Sequence, residues 1–539
     1  MAMIDIKREK NTDHHKLQIS QMEQFKIKIH QGGGKKKIEK LHDQNKLTAR
    51  DRIEHLIDEQ STFYELGTFA AYDMYEEYGG CPAAGVVAGI GTVSGQKVMI
   101  VANDATVKAG AWFPMTCKKN LRAQEISMEN QLPIIYLVDS AGVFLPLQDE
   151  IFPDKEDFGR VFRNNARMSA MGIPQIAAIM GSCVAGGAYL PIMSDEAIIV
   201  RNTGSIFLAG PYLVKAAIGE EVDSETLGGA ETQSNISGVT DYIAEDDEDC
   251  LKIIRSIVDN SGKLYQKNLE RSEPKPPQRP VNELLENLPE SNTTPYDSYA
   301  LLESMVDADT FTEYKAGYGQ TLICGYAKID GWHVGIVMNN RSVVKTKKGE
   351  MQFGGVIYSD SADKAARFIM NCNQKRVPII FFQDVTGFMV GTRSEQGGII
   401  KDGAKMVSAV ANSTVPKITI IMGNSYGAGN YAMCGKAYDP RFIFAWPSAR
   451  IAVMGGEQAV KVLHQIETRK GELSEEESEQ KLKKIRDRYQ RQTTPYYAAA
   501  RLWVDEMIDP RKTREYISMS LDVAQNSEIQ PFNPGVIQT

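Results

Sequence analysis

The stretch Gly181-Ser-Cys-Val-Ala-Gly-Gly-Ala-Tyr189 decides the fold of this chain, because it follows directly on the apolar run 174–180. A buried strand that leads through a glycine cluster into a helix leaves backbone N–H groups without acceptors at the start of the helix. Such groups bind an anion, or an oxygen on which negative charge develops. Glycines also serve simply to allow a tight turn and close packing, so one copy leaves both interpretations open.

A second stretch of the same kind, Gly423-Asn-Ser-Tyr-Gly-Ala-Gly-Asn-Tyr431, follows the apolar run 416–422. The surroundings repeat as well, because the apolar runs 133–139 and 378–384 both end in Asp before a turn that contains glycine. Two copies in matching contexts favour a functional role for the clusters and predict an internal duplication.

The length of 539 residues fits two large domains better than one. A proline-rich segment, 273–280, cannot continue a helix or a central strand. We therefore predict an N-terminal helical segment over residues 1–58, a first domain over 59–280 and a second over 281–539. Strands alternate with helices in both domains, which predicts an α/β fold with mostly parallel sheets and right-handed β-α-β connections.

Composition excludes several classes of protein. The net charge of −8 does not favour a nucleic-acid-binding surface. The 7 cysteines contain no C-x-x-C pair and do not cluster with histidines, so we expect neither a zinc site, nor any other bound metal, nor a disulfide framework. The N-terminus has no signal-peptide core, and no apolar run approaches the ~20 residues of a membrane helix. We expect a soluble, cytoplasmic protein, with the mitochondrial matrix as the alternative in a eukaryote.

Periodicity predicts helices over 35–44, 123–130 and 159–171, another that starts at 214, and a charged helical hairpin over 466–492. The segment 202–211 is predicted as a loop. The polar insert 341–355 is predicted as a mobile surface loop, with a basic lid over a phosphorylated ligand as the alternative.

A literal G-x-S-x-G around Ser425 is typical of the nucleophile elbow of α/β-hydrolases. His464 lies downstream, with Asp439 and Glu457 between them, so a catalytic triad can be written in the right order. The corresponding residue of the first copy is Cys183, and no histidine follows in that domain, which disfavours the hydrolase hypothesis.

A site made of backbone groups is the better-supported interpretation. Each copy has two glycine-bearing turns after buried strands, at 140–142 and 185–188 in the first and at 385–388 and 427–430 in the second. Two converging N–H groups in each copy make one oxyanion hole. Two holes suit a reaction that develops two enolate-like oxygens, and such a reaction needs no acid–base side chain.

These motifs resemble those of the carboxyltransferase (β) subunits of biotin-dependent acyl-CoA carboxylases, in the crotonase superfamily. The resemblance is greatest to the methylcrotonoyl-CoA and geranyl-CoA carboxylase branch, and it covers the chain from about Gly32 to the C-terminus. The stretches that carry it in the first domain are Phe158-Gly-Arg160, Asn165-Ala-Arg-Met-Ser-Ala170, Gly172-Ile-Pro-Gln-Ile-Ala177, Met180 to Tyr189, Met193-Ser-Asp-Glu196, Leu227-Gly-Gly-Ala230 and Ser237-Gly-Val239. Those in the second are Thr386-Gly-Phe-Met-Val-Gly391, Gly397-Gly-Ile-Ile-Lys-Asp-Gly-Ala-Lys-Met406, Tyr426-Gly-Ala-Gly-Asn-Tyr431, Met454-Gly-Gly-Glu-Gln-Ala459, Tyr496-Tyr497 and Asp509-Pro510.

The resemblance implies two tandem ClpP/crotonase-like domains, each a β-β-α superhelix. It implies that the first domain binds an acyl-CoA and that the second domain of a neighbouring subunit binds carboxybiotin. The active site would then lie at a dimer interface within a homohexamer. Carboxybiotin would release CO2, its ureido anion would take the acidic proton of the acyl group (α, or γ in an α,β-enoyl chain), and the enolate would attack CO2.

The resemblance also implies roles for particular backbone groups. The amides near Gly142, Gly186 and Gly187 would hold the thioester enolate oxygen, and those near Phe388, Ala428 and Gly429 would hold the biotin ureido oxygen. The residues that would line the two ligand sites are Ala141, Ala188, Gly387, Tyr426 and Gly427.

A partner subunit is expected, because the chain shows no biotin-attachment signature and no ATP-grasp domain. Ala404-Lys-Met406 matches the Met-Lys-Met signature only in part and falls in a predicted helix. We therefore expect biotin to arrive on a partner that supplies both the biotin carboxylase and the carrier, in an α6β6 holoenzyme.

Three departures from the family pattern leave the acyl group open. Leu147 stands where the methylcrotonoyl enzymes usually have arginine, and the run Phe144-Leu-Pro-Leu147 is nearer the geranyl type. Gln233 and Ser234 replace a usual His-Cys pair, and the insert 341–355 is atypical. The alternatives are a propionyl-CoA or acetyl-CoA carboxylase β subunit, the carboxyltransferase subunit of a biotin-dependent decarboxylase, and a non-catalytic scaffold that binds acyl-CoA.

Overall fold

The computed structural model describes residues 2–261, 268–346, 349–468 and 475–537. The chain divides into two compact units. The N unit comprises Gln24–Tyr265 and Ala500–Leu502, and the C unit comprises Met1–Glu23, Gln266–Ala499 and Trp503–Thr539. The domain limits that the sequence predicts, at 58/59 and 280/281, stay predictions.

The N unit is built on an eight-stranded sheet in the order β1-β2-β3-β4-β5-β6-β8, with β7 paired to the end of β5. The first three strands are antiparallel, and the ladder from β3 to β8 is parallel. The strands are β1 (Tyr64–Leu66), β2 (Val86–Val93), β3 (Gln96–Asn103), β4 (Ile134–Ser140), β5 (Gln175–Val184), β6 (Glu196–Val200), β7 (Ser205–Phe207) and β8 (Tyr242–Ala244).

The sheet of the C unit has the same topology, in the order β9-β10-β11-β15-β17-β18-β20 with β19 paired to the end of β17. Its strands, with four that form small separate ladders, are β9 (Thr312–Glu313), β10 (Leu322–Ile329), β11 (Trp332–Asn339), β12 (Val344–Lys345), β13 (Met351–Gln352), β14 (Val356–Ile357), β15 (Ile379–Val385), β16 (Gly387–Phe388), β17 (Lys417–Tyr426), β18 (Phe442–Ala445), β19 (Arg450–Ala452) and β20 (Glu506–Met507). The strand-by-strand match is the one that an internal duplication predicts.

Helices cover the sheets and connect the parallel strands. In the N-terminal half they are α1 (Ala2–His30), α2 (Lys35–His42), α3 (Ala49–Leu56), α4 (Pro114–Asn130), α5 (Phe158–Ala170), α6 (Gly186–Ile192), α7 (Pro211–Ile218), α8 (Ser224–Gly228) and α9 (Asp247–Asn260). The remaining helices are α10 (Glu283–Asn287), α11 (Ser298–Glu303), α12 (Ser359–Gln374), α13 (Thr392–Gln396), α14 (Ile399–Ala411), α15 (Gly427–Ala432), α16 (Gly456–Thr468), α17 (Glu475–Gln492), α18 (Pro495–Ala500) and α19 (Thr513–Ala524).

Several predicted boundaries are wrong. Helix α4 begins at Pro114 rather than at residue 123, because proline fits the first position of a helix, where no N–H acceptor is needed. The predicted loop 202–211 contains β7, which is too short to show a period, and α7 starts at Pro211 rather than at residue 214. The predicted hairpin 466–492 falls on α17 and the end of α16, with its middle outside the described residues.

The insert 341–355, which its polarity predicts to be a mobile surface loop, is anchored to the C unit at its first residue. Arg341 is 4% exposed, and its guanidinium lies 3.4 Å from the Asp384 carboxylate. The short strands β12 and β13 pair with each other, and β14 pairs with β16. A charged residue in a loop is buried here because a carboxylate that is distant in the sequence neutralises it.

Side chains alternate in direction along the N-unit strands, which places one set of apolar side chains against α3 and α9. Fully buried residues at every second position include Val98 and Ile100 in β3 and Ile135 and Leu137 in β4. The parallel strands are buried on both faces, as their continuous apolar sequences require. In the part of the chain that the structure describes, no helix is both long and apolar enough to cross a membrane.

Glu65 ties β1 to α3 and should make the N unit sensitive to acid. Burial raises the pKa of the Glu65 carboxyl, but hydrogen bonds from His30 and Arg50 outweigh that effect and hold the pKa well below its ordinary value of 4.5. Because the folded-state pKa is depressed, this stabilisation is complete above the pKa of the unfolded chain and is lost as the pH falls through the folded value.

We expect Glu65→Gln to destabilise the N unit at pH 7 by roughly 3 kcal/mol. The difference in Tm from the wild type should shrink below about pH 4.5, where unfolded carboxylates are protonated. Thermal unfolding at several pH values measures it, with the exposed Glu54→Gln on α3 as the control. A Tm difference independent of pH would contradict the assigned role of Glu65.

Candidate active site

The first turn of the N-unit site follows directly on the end of β4. Ser140 Oγ donates to the Gly110 carbonyl at 2.8 Å and accepts the Gly142 N–H at 3.1 Å. The Ala141 N–H donates to the Ala109 carbonyl at 3.0 Å. The amides of Ala141 and Gly142 therefore hold the turn in shape, and neither points a free N–H into the site.

The next residue, Val143, supplies a better-placed donor. Trp112 donates its N–H to the Gly142 carbonyl at 2.8 Å and accepts the Phe144 N–H at 2.9 Å, as in a parallel strand pair. Since N–H groups alternate in direction along an extended strand, the Val143 N–H points away from Trp112. Within the described residues it makes no hydrogen bond to the protein.

The second turn of the N-unit site is the start of α6. Ala185 precedes it at φ 54° and ψ −122°, a conformation that residues with a Cβ rarely adopt and that is associated with functional sites. The Ala188 N–H donates to the Ala185 carbonyl at 3.0 Å. Gly186 and Gly187 occupy the first two helical positions, where an N–H has no intrahelical acceptor.

The two turns meet because glycines leave them no side chains. A Cβ on Gly187 would lie 3.6 Å from the Gly142 Cα, in ordinary contact. A Cβ on Gly186 would lie 2.2 Å from the Phe158 ring, so that position accepts no larger residue without movement. The N–H groups of Val143, Gly186 and Gly187 thus belong to two turns that lie in contact.

The C unit repeats this arrangement. Met389 donates its N–H to the Ile357 carbonyl at 2.9 Å, so the Phe388 N–H points to the other side of its strand, away from β14. Gly427 has φ 53°, close to the 54° of its counterpart Ala185. A Cβ on Gly429 would lie 3.3 Å from the Gly387 Cα, so the turn and the start of α15 meet as in the N unit.

The equivalence of the two copies adds a donor to the N-unit candidates. Asp139 matches Asp384 at the ends of β4 and β15, so the counterpart of Phe388 is Val143. The sequence analysis did not single out Val143, because the direction of its N–H depends on pairing with Trp112 from another segment.

Tyr426 is a candidate ligand contact at the end of β17. It is the residue that precedes α15, and it is half-buried. Burial raises the pKa of its phenol to about 12, with Arg450 opposing that shift. The phenol is therefore protonated near neutral pH and can donate a hydrogen bond to a ligand.

An apolar wall lies beside the N-unit turns. Phe144 stacks on Phe113 with ring centroids 4.2 Å apart, and Phe158 contacts both Trp112 and Phe162 edge-on. Such a wall excludes water, which strengthens hydrogen bonds to a developing oxyanion.

The hydrolase hypothesis fails on the surroundings of Ser425. The side chain is fully buried, and its hydroxyl donates to Gln383 Oε1 at 2.6 Å and accepts from Asn430 Nδ2 at 2.7 Å. The side chain of His464 lies outside the described residues. The corresponding Cys183 is also fully buried, and burial raises the pKa of its thiol far above the ordinary value. Ser425 and Cys183 therefore act as structural residues.

We expect Ser425→Ala to retain turnover within about tenfold of the wild type, because the hydroxyl binds only protein groups. The unfolding free energy should fall by about 1–3 kcal/mol, since the buried Gln383 amide and the half-buried Asn430 amide each lose a partner. Steady-state kinetics and thermal unfolding measure both effects. Complete loss of turnover by a folded variant would restore the nucleophile hypothesis.

Comparison with known proteins agrees with this geometry. Residues 40–535 match the carboxyl transferase domain, so the chain belongs to that family. The chain is 50% identical over 515 residues to the biotin-dependent 3-methylcrotonyl-coenzyme A carboxylase beta1 subunit of Mycobacterium tuberculosis, covering 94% of both chains. It is 47% identical to a probable mitochondrial methylcrotonoyl-CoA carboxylase beta chain of Drosophila melanogaster, covering 96% of this chain and 91% of that one.

A solved structure shows the same fold over the whole length. The beta subunit of P. aeruginosa geranyl-CoA carboxylase superposes with a TM-score of 0.86 at 36% identity, covering 99% of this chain and 97% of that one. The chain is accordingly a carboxyltransferase (β) subunit of the biotin-dependent acyl-CoA carboxylase type, like the methylcrotonoyl-CoA and geranyl-CoA enzymes. The resemblance and the two-domain crotonase-like fold are both confirmed.

Proposed function

We propose that this subunit transfers CO2 from carboxybiotin to an acyl-CoA through two backbone oxyanion holes, one in each unit. The observation that carries this proposal is the repeated meeting of a glycine turn and a helix start, each with N–H groups that the fold leaves without acceptors. The N-unit hole would hold the thioester oxygen through Gly186, Gly187 and the turn of Gly142, with Val143 as its donor. The C-unit hole would hold the biotin ureido oxygen through Phe388, Ala428 and Gly429.

The residues fit these ligands. In each unit the candidate N–H donors belong to two turns that lie in contact, an arrangement that would suit a single anionic oxygen. The residues proposed to line the two ligand sites are Ala141, Ala188, Gly387, Tyr426 and Gly427. The amides of Ala141 and Ala188 donate to protein carbonyls, so those two would contribute shape. Gly387 and Gly427 would allow close approach, and Tyr426 would offer its phenol.

Bound carboxybiotin would supply CO2 and a ureido nitrogen that accepts a proton. The acyl group would lose a proton from its α carbon, or from γ in an enoyl chain, and the carbanion equivalent would form a new C–C bond to CO2. The N-unit amides would stabilise the enolate oxygen and so lower the cost of removing that proton. The aromatic wall of Phe113, Phe144 and Phe158 would keep water from protonating the enolate.

We propose a branched acyl-CoA of the methylcrotonoyl or geranyl type as the substrate. The two named relatives are methylcrotonoyl-CoA enzymes, and Phe144 and Leu147 make the acyl side apolar. We also propose a homohexameric core, a partner that supplies biotin carboxylase and biotin carrier in an α6β6 assembly, and a cytoplasmic location.

The test is fixation of radiolabelled bicarbonate by the subunit with its biotinylated partner and ATP. The acyl-CoA panel should run from acetyl and propionyl through 3-methylcrotonoyl to geranyl. We expect fixation on a branched enoyl-CoA. Fixation on acetyl- or propionyl-CoA alone would overturn the substrate proposal, and none on any member would overturn the function. Sodium-dependent decarboxylation of a carboxylated acyl-CoA would instead support the decarboxylase alternative.

A further inference from the structure

We propose that Asp139 and Asp384 are positioning residues that fix the geometry of the two oxyanion holes, each by filling a bulge between the strands that deliver the donor turns. The proposal rests on the proposed function, because it assigns to each aspartate one of the two holes. The aspartates would touch neither ligand and would act through the backbone.

Both aspartates lie opposite the same irregularity of the sheet. In the N unit, Val138 pairs with Ile179 and Ser140 pairs with Cys183, so β5 carries extra residues opposite Asp139. In the C unit, Gln383 pairs with Ile421 and Val385 pairs with Ser425, so β17 does the same opposite Asp384. Bulges of this kind redirect a strand and recur beside active sites. Here each bulge lies directly before the strand end that leads into α6 or α15.

The carboxyl groups occupy the space that the bulges open. A Cβ built on Gly181 would lie 1.9 Å from Asp139 Oδ1, and one built on Gly423 would lie 2.6 Å from Asp384 Cγ. The carboxyl groups therefore stand where side chains at Gly181 and Gly423 would otherwise be. In the C unit, the Asn424 N–H also donates to Asp384 Oδ1 at 2.8 Å, which ties the bulged strand to β15.

Each aspartate is buried against a cation from another part of its own unit. Lys46 Nζ lies 2.5 Å from Asp139 Oδ2, and the fully buried Arg52 lies 3.5 Å from the same oxygen. Asp384 is 2% exposed. Its carboxylate lies 3.4 Å from Arg341 Nη1 and accepts a hydrogen bond from the Tyr296 hydroxyl at 2.9 Å.

Burial raises the pKa of Asp384, while Arg341 and the Asn424 N–H oppose that shift. The aspartates at the two equivalent bulges are therefore neutralised by different cations, Lys46 and Arg52 in the N unit and Arg341 in the C unit. The insert that starts at Arg341 has a structural use that its polarity alone does not reveal.

Each aspartate is connected through the backbone to both donors of its hole. Val143 lies in the turn that follows Asp139, and Gly187 lies beyond Gly181, after the redirected end of β5. Phe388 and Gly429 have the same relation to Asp384 and Gly423. A change in the filled bulge therefore moves one donor relative to the other, and displacements of about 1 Å are enough to cost about 100-fold in rate.

The experiment compares Asp384→Ala, Gly423→Ala and the control Asp505→Ala in the assembled holoenzyme. Asp505 is a buried aspartate of the same unit that pairs with Lys436 at 2.6 Å and accepts the Ile443 N–H at 3.0 Å, as part of a different strand pair. The assay is the reverse reaction, carboxyl transfer from the carboxylated acyl-CoA product to free biotin, with kcat and both KM values normalised to folded protein, and Tm measured in parallel.

We expect Asp384→Ala and Gly423→Ala to lower kcat by about 10- to 100-fold and to raise the KM for biotin, with the KM for the acyl-CoA unchanged. Asp505→Ala should lower Tm and leave the ratio of the two KM values as in the wild type. If Asp384→Ala does not fold, the double variant Asp384→Asn/Arg341→Met replaces it, because it keeps the shape of the side chain at residue 384 without leaving a buried charge unpaired. We expect the double variant to retain wild-type kinetics within about threefold. Gly423→Ala should still lose activity.

Kinetics of Gly423→Ala equal to those of Asp505→Ala, or loss of kcat with no change in the KM for biotin, would overturn the positioning role. An inactive wild-type holoenzyme would instead overturn the proposed function, so the two failures are distinguishable.

Discussion

Gly187→Pro is expected to lower kcat for carboxylation by about 100- to 1,000-fold, the usual effect of losing one oxyanion-hole donor. Proline removes the N–H that we assign to the thioester oxygen. The fold should survive, because this N–H lies at the second position of α6, where it has no intrahelical acceptor and where proline is tolerated. Steady-state kinetics of the purified holoenzyme, with Tm as a check of folding, measure the effect.

Gly187→Ala is the matched control for this variant. It keeps the N–H, and its Cβ would meet the Gly142 Cα and Ser140 Oγ at the ordinary distance of 3.6 Å. We expect kcat within about tenfold of the wild type. Equal losses in the proline and alanine variants would show that the added atoms matter and the N–H does not, which would remove Gly187 from the proposed hole.

The second large effect is expected from Ala428→Pro on the biotin side. Ala428 is exposed at the second position of α15, so proline there removes an N–H and disturbs little packing. We expect a 100- to 1,000-fold loss of kcat. The KM for the acyl-CoA should stay near its wild-type value, because the N-unit hole is intact. Gly187→Pro, by contrast, should change the KM for the acyl-CoA.

Ala428→Ser retains the N–H at the same exposed position and serves as the control. Its kcat should stay within a few-fold of the wild type. If Ala428→Pro folded, assembled with its partner and kept full turnover, the ureido oxygen would have to be held by other groups, and the C-unit hole as proposed would be wrong.

The glycine turns could be predicted from sequence because their signals are local. An apolar run, an aspartate and a glycine cluster within a few residues mark the end of a buried strand, and both copies show it. The duplication followed from the same signals. Strand β7 was missed because its three residues carry no period, and pairing with the end of β5 is what makes them a strand.

The remaining features depend on contacts between residues that are distant in the chain. From sequence alone Arg341 is predicted to be a loop residue, because its ion pair with Asp384 forms only when β15 folds beside it. The use of the Gly142 amide by Ser140 Oγ depends on hydrogen-bond geometry inside a turn, which glycine spacing does not reveal. Val143 was missed for a related reason, since the direction of its N–H is set by Trp112 from another segment.

A donor that belongs to the peptide backbone is present whatever side chain is attached to it, unless that residue is proline. Val143 and Phe388 hold equivalent positions with unlike side chains, yet both direct an N–H away from the neighbouring strand. In the proposed site, mutation would therefore change the surroundings of each oxygen without removing the N–H group that holds it. Under that proposal, substitutions beside the two holes would change acyl preference while the N–H donors for bond formation stay in place.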